Sequence, residues 1–255
     1  MILQADAFAL PFKDGTFDVV VADPPYEVSN PQSKRLIRPT SKQGRSGRKR
    51  LAEVGYIEFV GRTWWREAWR ALSPDGHLYV FAVIKELPAW FRAVDLPQFD
   101  VIAWVQPNAR GVQSMIRRVI GGRTLAWRPI LHWRKGRLLS WKRPDGRTEY
   151  VEPNYFIESQ VQSNMIEALP WPNQLPLALM RWLLRPHRGA RILDLFSGTG
   201  TTREAAFNVG LDVVSVDASP QAIAIIAGRP MQPPLHPELL WRADHHDQSL
   251  LELEP

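Results

Sequence analysis

The 255-residue chain is 45% hydrophobic and 23% charged, a composition that excludes wholesale disorder and leaves length for one large α/β domain. It has no cysteine, which excludes disulfides, thiolate catalysis and cysteine-ligated zinc, and no apolar run near the roughly 18 residues of a membrane span. The net charge of +6 is gathered into two stretches: residues 34–50 hold eight Lys or Arg and residues 101–144 hold ten, with no acid in either, while the remainder is acidic.

Met1 to Asp6 has neither a basic flank nor an apolar core, so no secretory leader is expected and the cytoplasm is the expected compartment. Phe17 to Ala22 (FDVVVA) is a β-branched run and reads as a buried parallel strand. Asp23-Pro24-Pro25-Tyr26 follows, and the paired prolines stop any helix and leave Asp23 at the strand's carboxyl end. Residues 30–50 read as a basic loop. Tyr56 to Leu72 is predicted to be a helix that ends at the turn Ser73-Pro74-Asp75-Gly76. His77 to Ile84 is a second buried strand, and Val101 to Val105 and Ile130 to Trp133 are two more, separated by the basic, Gly-rich segment 106–124.

Residues 134–172 lack periodicity and read as a small irregular insertion. Leu175 to Leu184 is predicted to be a helix, Arg191 to Leu195 a strand, Thr201 to Val209 a helix and Asp212 to Val216 a strand. Strands alternating with helices predict an α/β, Rossmann-like, mostly parallel sheet over residues 1–230, with 231–255 as a C-terminal tail.

Two segments carry chemistry. Between the strand Arg191 to Leu195 and the next helix lies Phe196-Ser197-Gly198-Thr199-Gly200, a turn that lets a ligand approach the backbone at a helix N-terminus. Asp217 stands 17 residues beyond Gly200, close to the roughly 20-residue spacing of an acid that takes ribose hydroxyls. Asp194 would repel a pyrophosphate but suits a ligand bearing an amino group and a sulfonium, which points to S-adenosylmethionine rather than NAD. A P-loop is absent from the sequence.

The second segment is Asp23-Pro24-Pro25-Tyr26. The exocyclic amine of adenine or cytosine is a poor nucleophile because its lone pair is conjugated with the ring. Hydrogen bonds to the Asp23 carboxylate and the Pro24 carbonyl favour a more tetrahedral nitrogen, the prolines hold that carbonyl in place, and Tyr26 offers a face for a flipped base.

On ADPPY at 22–26, WVQPN at 104–108, LHWRKG at 131–136, NQLPLAL at 173–179, ILDLFSGTGTT at 192–202 and VSVDASP at 214–220, the chain resembles the DNA amino-methyltransferases of the adenine-N6 or cytosine-N4 kind. It is similar to the permuted group in which the DPPY motif precedes FSGTG. The resemblance implies a seven-stranded sheet and methyl transfer from S-adenosylmethionine, with adenine N6 ahead of cytosine N4 because the motif opens with Asp. It implies Asp23, Pro24, Pro25 and Tyr26 as catalytic. It places Asp194, Phe196, Ser197, Gly198 and Gly200 in the cofactor loop, with Thr199 and Thr201 beside them. Asp217, with Ala218, matches the ribose acid, and Asp6, with Ala7, the acid near the cofactor's adenine. Asn173 and Gln174 match the start of a further cofactor motif, in which Leu175 stands where the family carries lysine.

The expected partner is double-stranded DNA. Arg35, Arg38, Lys42, Arg45 and Arg48 on one stretch, and Arg110, Arg117, Arg118 and Arg123 on the other, are the candidates for phosphate contacts; solvated loops are the plainer reading of the same charges. Trp127, Trp133 and Trp141 either stack on bases or, for the first two, pack the sheet. The segment 134–172 occupies the family's target-recognition position and is short, which leaves room for a homodimer, and a companion restriction endonuclease is the further partner to look for. His245-His246-Asp247 reads as a solvated tail, and no metal is expected. An RNA base methyltransferase and a degenerate DNA-binding module are the alternatives.

Overall fold

The three-valine run of Phe17–Ala22 is the centre of the molecule, because β-branched side chains suit a strand covered on both faces. A computed structural model describes residues 1–24, 63–94, 96, 99–107, 127–136, 154–161, 168–169 and 174–231. Among these, eight strands form one sheet: β1 (Ile2–Gln4), β2 (Phe17–Ala22), β3 (Leu72–Phe81), β4 (Phe99–Val105), β5 (Trp127–Arg134), β6 (Tyr155–Ile157), β7 (Arg191–Leu195) and β8 (Asp212–Asp217). The helices are α1 (Trp65–Ala71), α2 (Leu87–Ala93), α3 (Leu177–Leu184), α4 (Thr201–Asn208) and α5 (Pro220–Gly228).

The spatial order is β1-β8-β7-β2-β3-β5-β4-β6. All pairs are parallel except those of β5, which runs antiparallel to both β3 and β4. Eight strands stand where the family resemblance implies seven. The strands that no sequence signal marked are β1 and β6, three residues each and too short to show a period.

Alternation along the strands divides the core in two. Val20, Ala22, Leu78, Val80, Leu193 and Leu195 face α1 and α2, where Ala68, Ala71 and Trp90 cover them. Val19, Val21, Tyr79, Phe81 and Ile192 face the other way, under Leu179, Met180 and Leu183 of α3 and Ala205 and Ala206 of α4. Each fully buried side chain of this kind contributes on the order of 2 kcal/mol. Right-handed crossovers leading from β2 toward β3 and from β7 toward β8 run in opposite directions, so α1 and α4 lie on opposite faces. The strand order therefore reverses between β7 and β2, and the crevice of such a sheet opens at the carboxyl ends of those two strands.

Three expectations need correction. Within the described residues the helix expected over Tyr56 to Leu72 covers Trp65–Ala71, and Leu72 already has extended backbone and begins β3. Ser73-Pro74-Asp75-Gly76 is not a turn between elements but an irregularity within β3: Phe17 pairs with Leu72 and Val19 with His77, so the extra residues bulge. A bulge tolerates Pro74, which has no N–H for a ladder. Helix α3 starts after Pro176 rather than at Leu175, because Pro176 sits at its N-cap in extended conformation. Helix α2 carried no cue in the sequence reading.

Candidate active site

Val21 pairs with Asp194 and Ala22 with Leu195, so the ends of β2 and β7 stand side by side. Asp194 continues the face of Ile192, and Asp23 that of Val19 and Val21, which places the two carboxylates on one side of the sheet at the switch-point crevice. Asp23 is partly exposed and Pro24 is buried. Desolvation in the crevice pushes the Asp23 carboxyl up to about 6, opposed by the positive charge of Arg128. Pro25 and Tyr26 lie outside the described residues, as do Asn173 and every arginine and lysine assigned above to phosphate contacts.

The loop after β7 is stitched to β8. The Ser197 hydroxyl lies within hydrogen-bond distance of the carbonyls of Asp194 (2.9 Å) and Val216 (2.8 Å), which share its one proton. Phe196, Gly198 and Gly200 all take positive φ, at 59°, 51° and 75°. Phe196 bears this as a non-glycine residue while its ring rests edge-on against Trp64 at 5.1 Å. At Gly200 a Cβ would meet Ile226 Cγ2 at 3.1 Å, so the residue is also a packing requirement between the loop and α5.

Asp217 accepts the Gly198 N–H at 2.9 Å on Oδ2 and the Ser219 N–H at 2.8 Å on Oδ1. The Ala218 N–H is a third backbone donor to this carboxylate, which leaves acceptor capacity for a ligand hydroxyl. Burial raises the Asp217 carboxyl, and these backbone bonds pull it back. Asp194 is 3% exposed and its carboxyl is pushed up to about 7, chiefly by burial, against hydroxyl bonds that include one from Ser215 at 3.2 Å.

The pairing of β1 with β8 brings residues from opposite ends of the chain together. Gln4 pairs with Asp217, the Ala5 N–H donates to the Asp217 carbonyl at 3.1 Å, and Gln4 Nε2 donates to the Ala218 carbonyl at 3.4 Å. Asp6 is exposed beside this corner and accepts the Phe8 N–H at 3.0 Å, and Ala7 is buried. Thr199 and Thr201 are buried with their hydroxyls bonded at 3.1 Å, so they shape the loop from inside. Gln174 is buried and its Oε1 accepts the Leu169 N–H at 2.8 Å. Leu175 is 6% exposed within the α3-side core, where a lysine would carry an expensive buried charge.

Three features escaped the sequence reading. Arg229, past the end of α5, binds the carboxylate of Glu204 on α4 and donates to the Thr199 carbonyl (2.9 Å) and the Thr201 hydroxyl (3.2 Å). Arg128, counted above with the basic stretch, is 3% exposed and is no surface phosphate contact. Trp133, at 1% exposed, packs the sheet, which is the second of the two readings given for it from the sequence. Charge runs conceal such residues, since nothing local separates a buried arginine from a solvated one.

The third feature is a histidine cluster at the opposite, amino edge of β3. His77 Nδ1 and His132 Nε2 lie 2.8 Å apart and Tyr79 Oη and His187 Nε2 2.9 Å apart, with the proton's side in each pair set by the tautomer. Among the described residues no group of three His, Cys, Asp or Glu side chains is arranged to hold a metal ion.

A family profile described as DNA methylase matches residues 17–228. Among solved structures, M1.HpyAVI in complex with SAM is 20% identical, with 88% of this chain and 96% of that one covered at a TM-score of 0.58. PvuII DNA methyltransferase, cytosine-N4-specific, is 17% identical, with 96% and 91% covered at 0.61. A putative DNA modification methylase from Thermus thermophilus, complexed with S-adenosyl-L-methionine, is 17% identical, with 88% and 90% covered at 0.51. At these identities the likeness is one of fold.

Proposed function

This chain belongs to the DNA methylase family, and from that premise we propose that it transfers a methyl group from S-adenosylmethionine to the exocyclic amine of a base flipped out of double-stranded DNA. Adenine N6 is the first assignment, on the Asp that opens DPPY, and cytosine N4 the second. The observation that supports the reading is the pairing of Val21 with Asp194, by which the strand leading to Asp23 and Pro24 runs beside the strand leading to the glycine loop.

The donor set suits this cofactor. Asp217 keeps acceptor capacity for a ribose hydroxyl, and Asp194 offers a carboxylate to a cationic amino group. S-adenosylmethionine bound there supplies a sulfonium methyl that passes to the amine nitrogen as the C–S bond breaks, the surplus proton leaving to water. Asp23 accepts one amine N–H and the Pro24 carbonyl the other, which lowers conjugation of the lone pair and aims it toward the β7 side. The paired prolines fix the acceptor before substrate arrives, so little reorganisation remains for the reaction itself. Tyr26 stacks on the flipped base.

The test is transfer of labelled methyl from S-adenosylmethionine to unmethylated genomic DNA, followed by nucleoside mass spectrometry. N6-methyladenine, lost in Asp23→Ala, is the expected product, and N4-methylcytosine would reassign the base. Label in total RNA alone would reassign the substrate, and label in neither would refute the enzyme reading.

A further inference from the structure

We propose that Arg128 is a positioning residue that holds the Asp23 carboxylate charged and oriented as the acceptor for the target amine, an inference that rests on the methyltransferase reading above. Ala22 pairs with Val80, Val80 with Leu131, and the Ala82 N–H donates to the Pro129 carbonyl at 3.0 Å. The amino end of the antiparallel strand β5 is thus drawn across to the edge where β2 ends. Arg128 shares the face of Ile130 and Trp104, the face on which Val19, Val21 and Asp23 lie.

The guanidinium is held by a fixed platform. Its central carbon lies 5.3 Å from the centroid of the Trp104 ring. Trp104 is fully buried, and its indole N–H donates to the Glu158 carbonyl at 2.8 Å. Stacking of this kind stabilises a cation by electrostatic attraction to the ring face, and a planar guanidinium exploits it better than an ammonium.

A packing role alone accounts poorly for the choice of residue. An apolar side chain of similar volume would fill the same space without the desolvation cost of a charge. Burial lowers the basicity of Arg128, and the field of Asp23 offsets this only in part. The reverse holds at Asp23, which burial alone would neutralise further and Arg128 draws back toward the charged form. Among the described residues, Arg128 is the charged group whose field acts on Asp23, and Asp194 is the titratable group facing it from β7. The chemistry requires the charged form. A carboxylate has two acceptor oxygens and can serve the guanidinium with one and the amine with the other, whereas a carboxylic acid spends one of them as a donor.

Arg128→Met, Arg128→Gln and Arg128→Lys separate charge from volume. The readouts are the pH profile of kcat/KM for methyl transfer to DNA and the Asp23 carboxyl titration followed by carbon NMR on the substrate-free protein. Arg128→Met and Arg128→Gln are expected to move the acid limb and the NMR midpoint upward together by about one pH unit. Activity then falls roughly fivefold at pH 6, approaches a tenfold loss only well below it and changes little at pH 9, and Arg128→Lys restores part of the shift. Equal loss at every pH with an unmoved midpoint in whichever variants fold would overturn the proposal. Absence of methyl transfer by the unmodified protein would remove the amine-acceptor role together with the function, while the NMR titration would still decide whether Arg128 governs the charge on Asp23.

Discussion

Arg229→Met removes a cation that ties the glycine loop, at Thr199, to Thr201 and Glu204 of α4. Both side chains of the Arg229–Glu204 pair are 6% exposed, with Nη2 2.5 Å and Nε 2.6 Å from the same carboxylate oxygen. The same guanidinium satisfies the Thr199 carbonyl and the Thr201 hydroxyl. Its loss leaves a buried carboxylate without its counter-charge, for which removal of one partner of a buried pair costs about 3–5 kcal/mol. At roughly 2–4 °C per kcal/mol for a chain of this size, the melting temperature should fall by about 10 °C. The double variant Arg229→Met/Glu204→Leu removes the stranded charge as well, and should recover more than half of that loss. Thermal and urea unfolding of the single and double variants measure this, with calorimetric titration of S-adenosylmethionine reporting on the loop. A single-variant loss below about 1 kcal/mol, or a double variant as costly as the two singles added, would refute the argument.

Gly200→Ala should destabilise by about 1–3 kcal/mol, because alanine dislikes φ of 75° and its Cβ meets Ile226 at 3.1 Å; adding Ile226→Ala relieves the contact and not the backbone strain, which a double-mutant cycle in urea resolves. Asp194, raised to about 7, should make cofactor binding pH-dependent: affinity climbs as pH rises toward about 7 and levels above it, while Asp194→Asn binds weakly and without that dependence by calorimetry. His77 and His132 are depressed to about 4 and about 3 by burial, and His187 is also depressed, with Arg134 and Asp75 the charged groups nearby. Their folded-state values lie below the ordinary imidazole value, so the stability they contribute is present above pH 6.5 and is lost as pH falls toward about 4. The urea midpoint should drop across that window, and a slope no shallower in His77→Phe/His132→Phe would exclude the cluster as the cause.

The two chemical segments were legible because each needs local features that leave a mark in the chain. A buried parallel strand needs a β-branched run, as in Phe17–Ala22, and a tight strand-to-helix turn with positive φ needs Gly198 and Gly200. Asp23, Asp194 and Asp217 each lie at, or within one residue of, the last residue of a strand, so strand position alone assigns them to the carboxyl edge. Tertiary structure decided what lies between distant segments. No periodicity tells that Gln4 pairs with Asp217, that Arg229 reaches back to Thr199, or that Arg128 is buried where its field reaches Asp23. The three-residue strands β1 and β6 belong to the same class, since an edge strand that short is defined by the partner it pairs with. Local propensity is set by a few adjacent residues, whereas burial of a charge depends on which segments the completed sheet brings together; so the strands and the glycine turn could be read from the sequence, and the long-range partners of their residues could not.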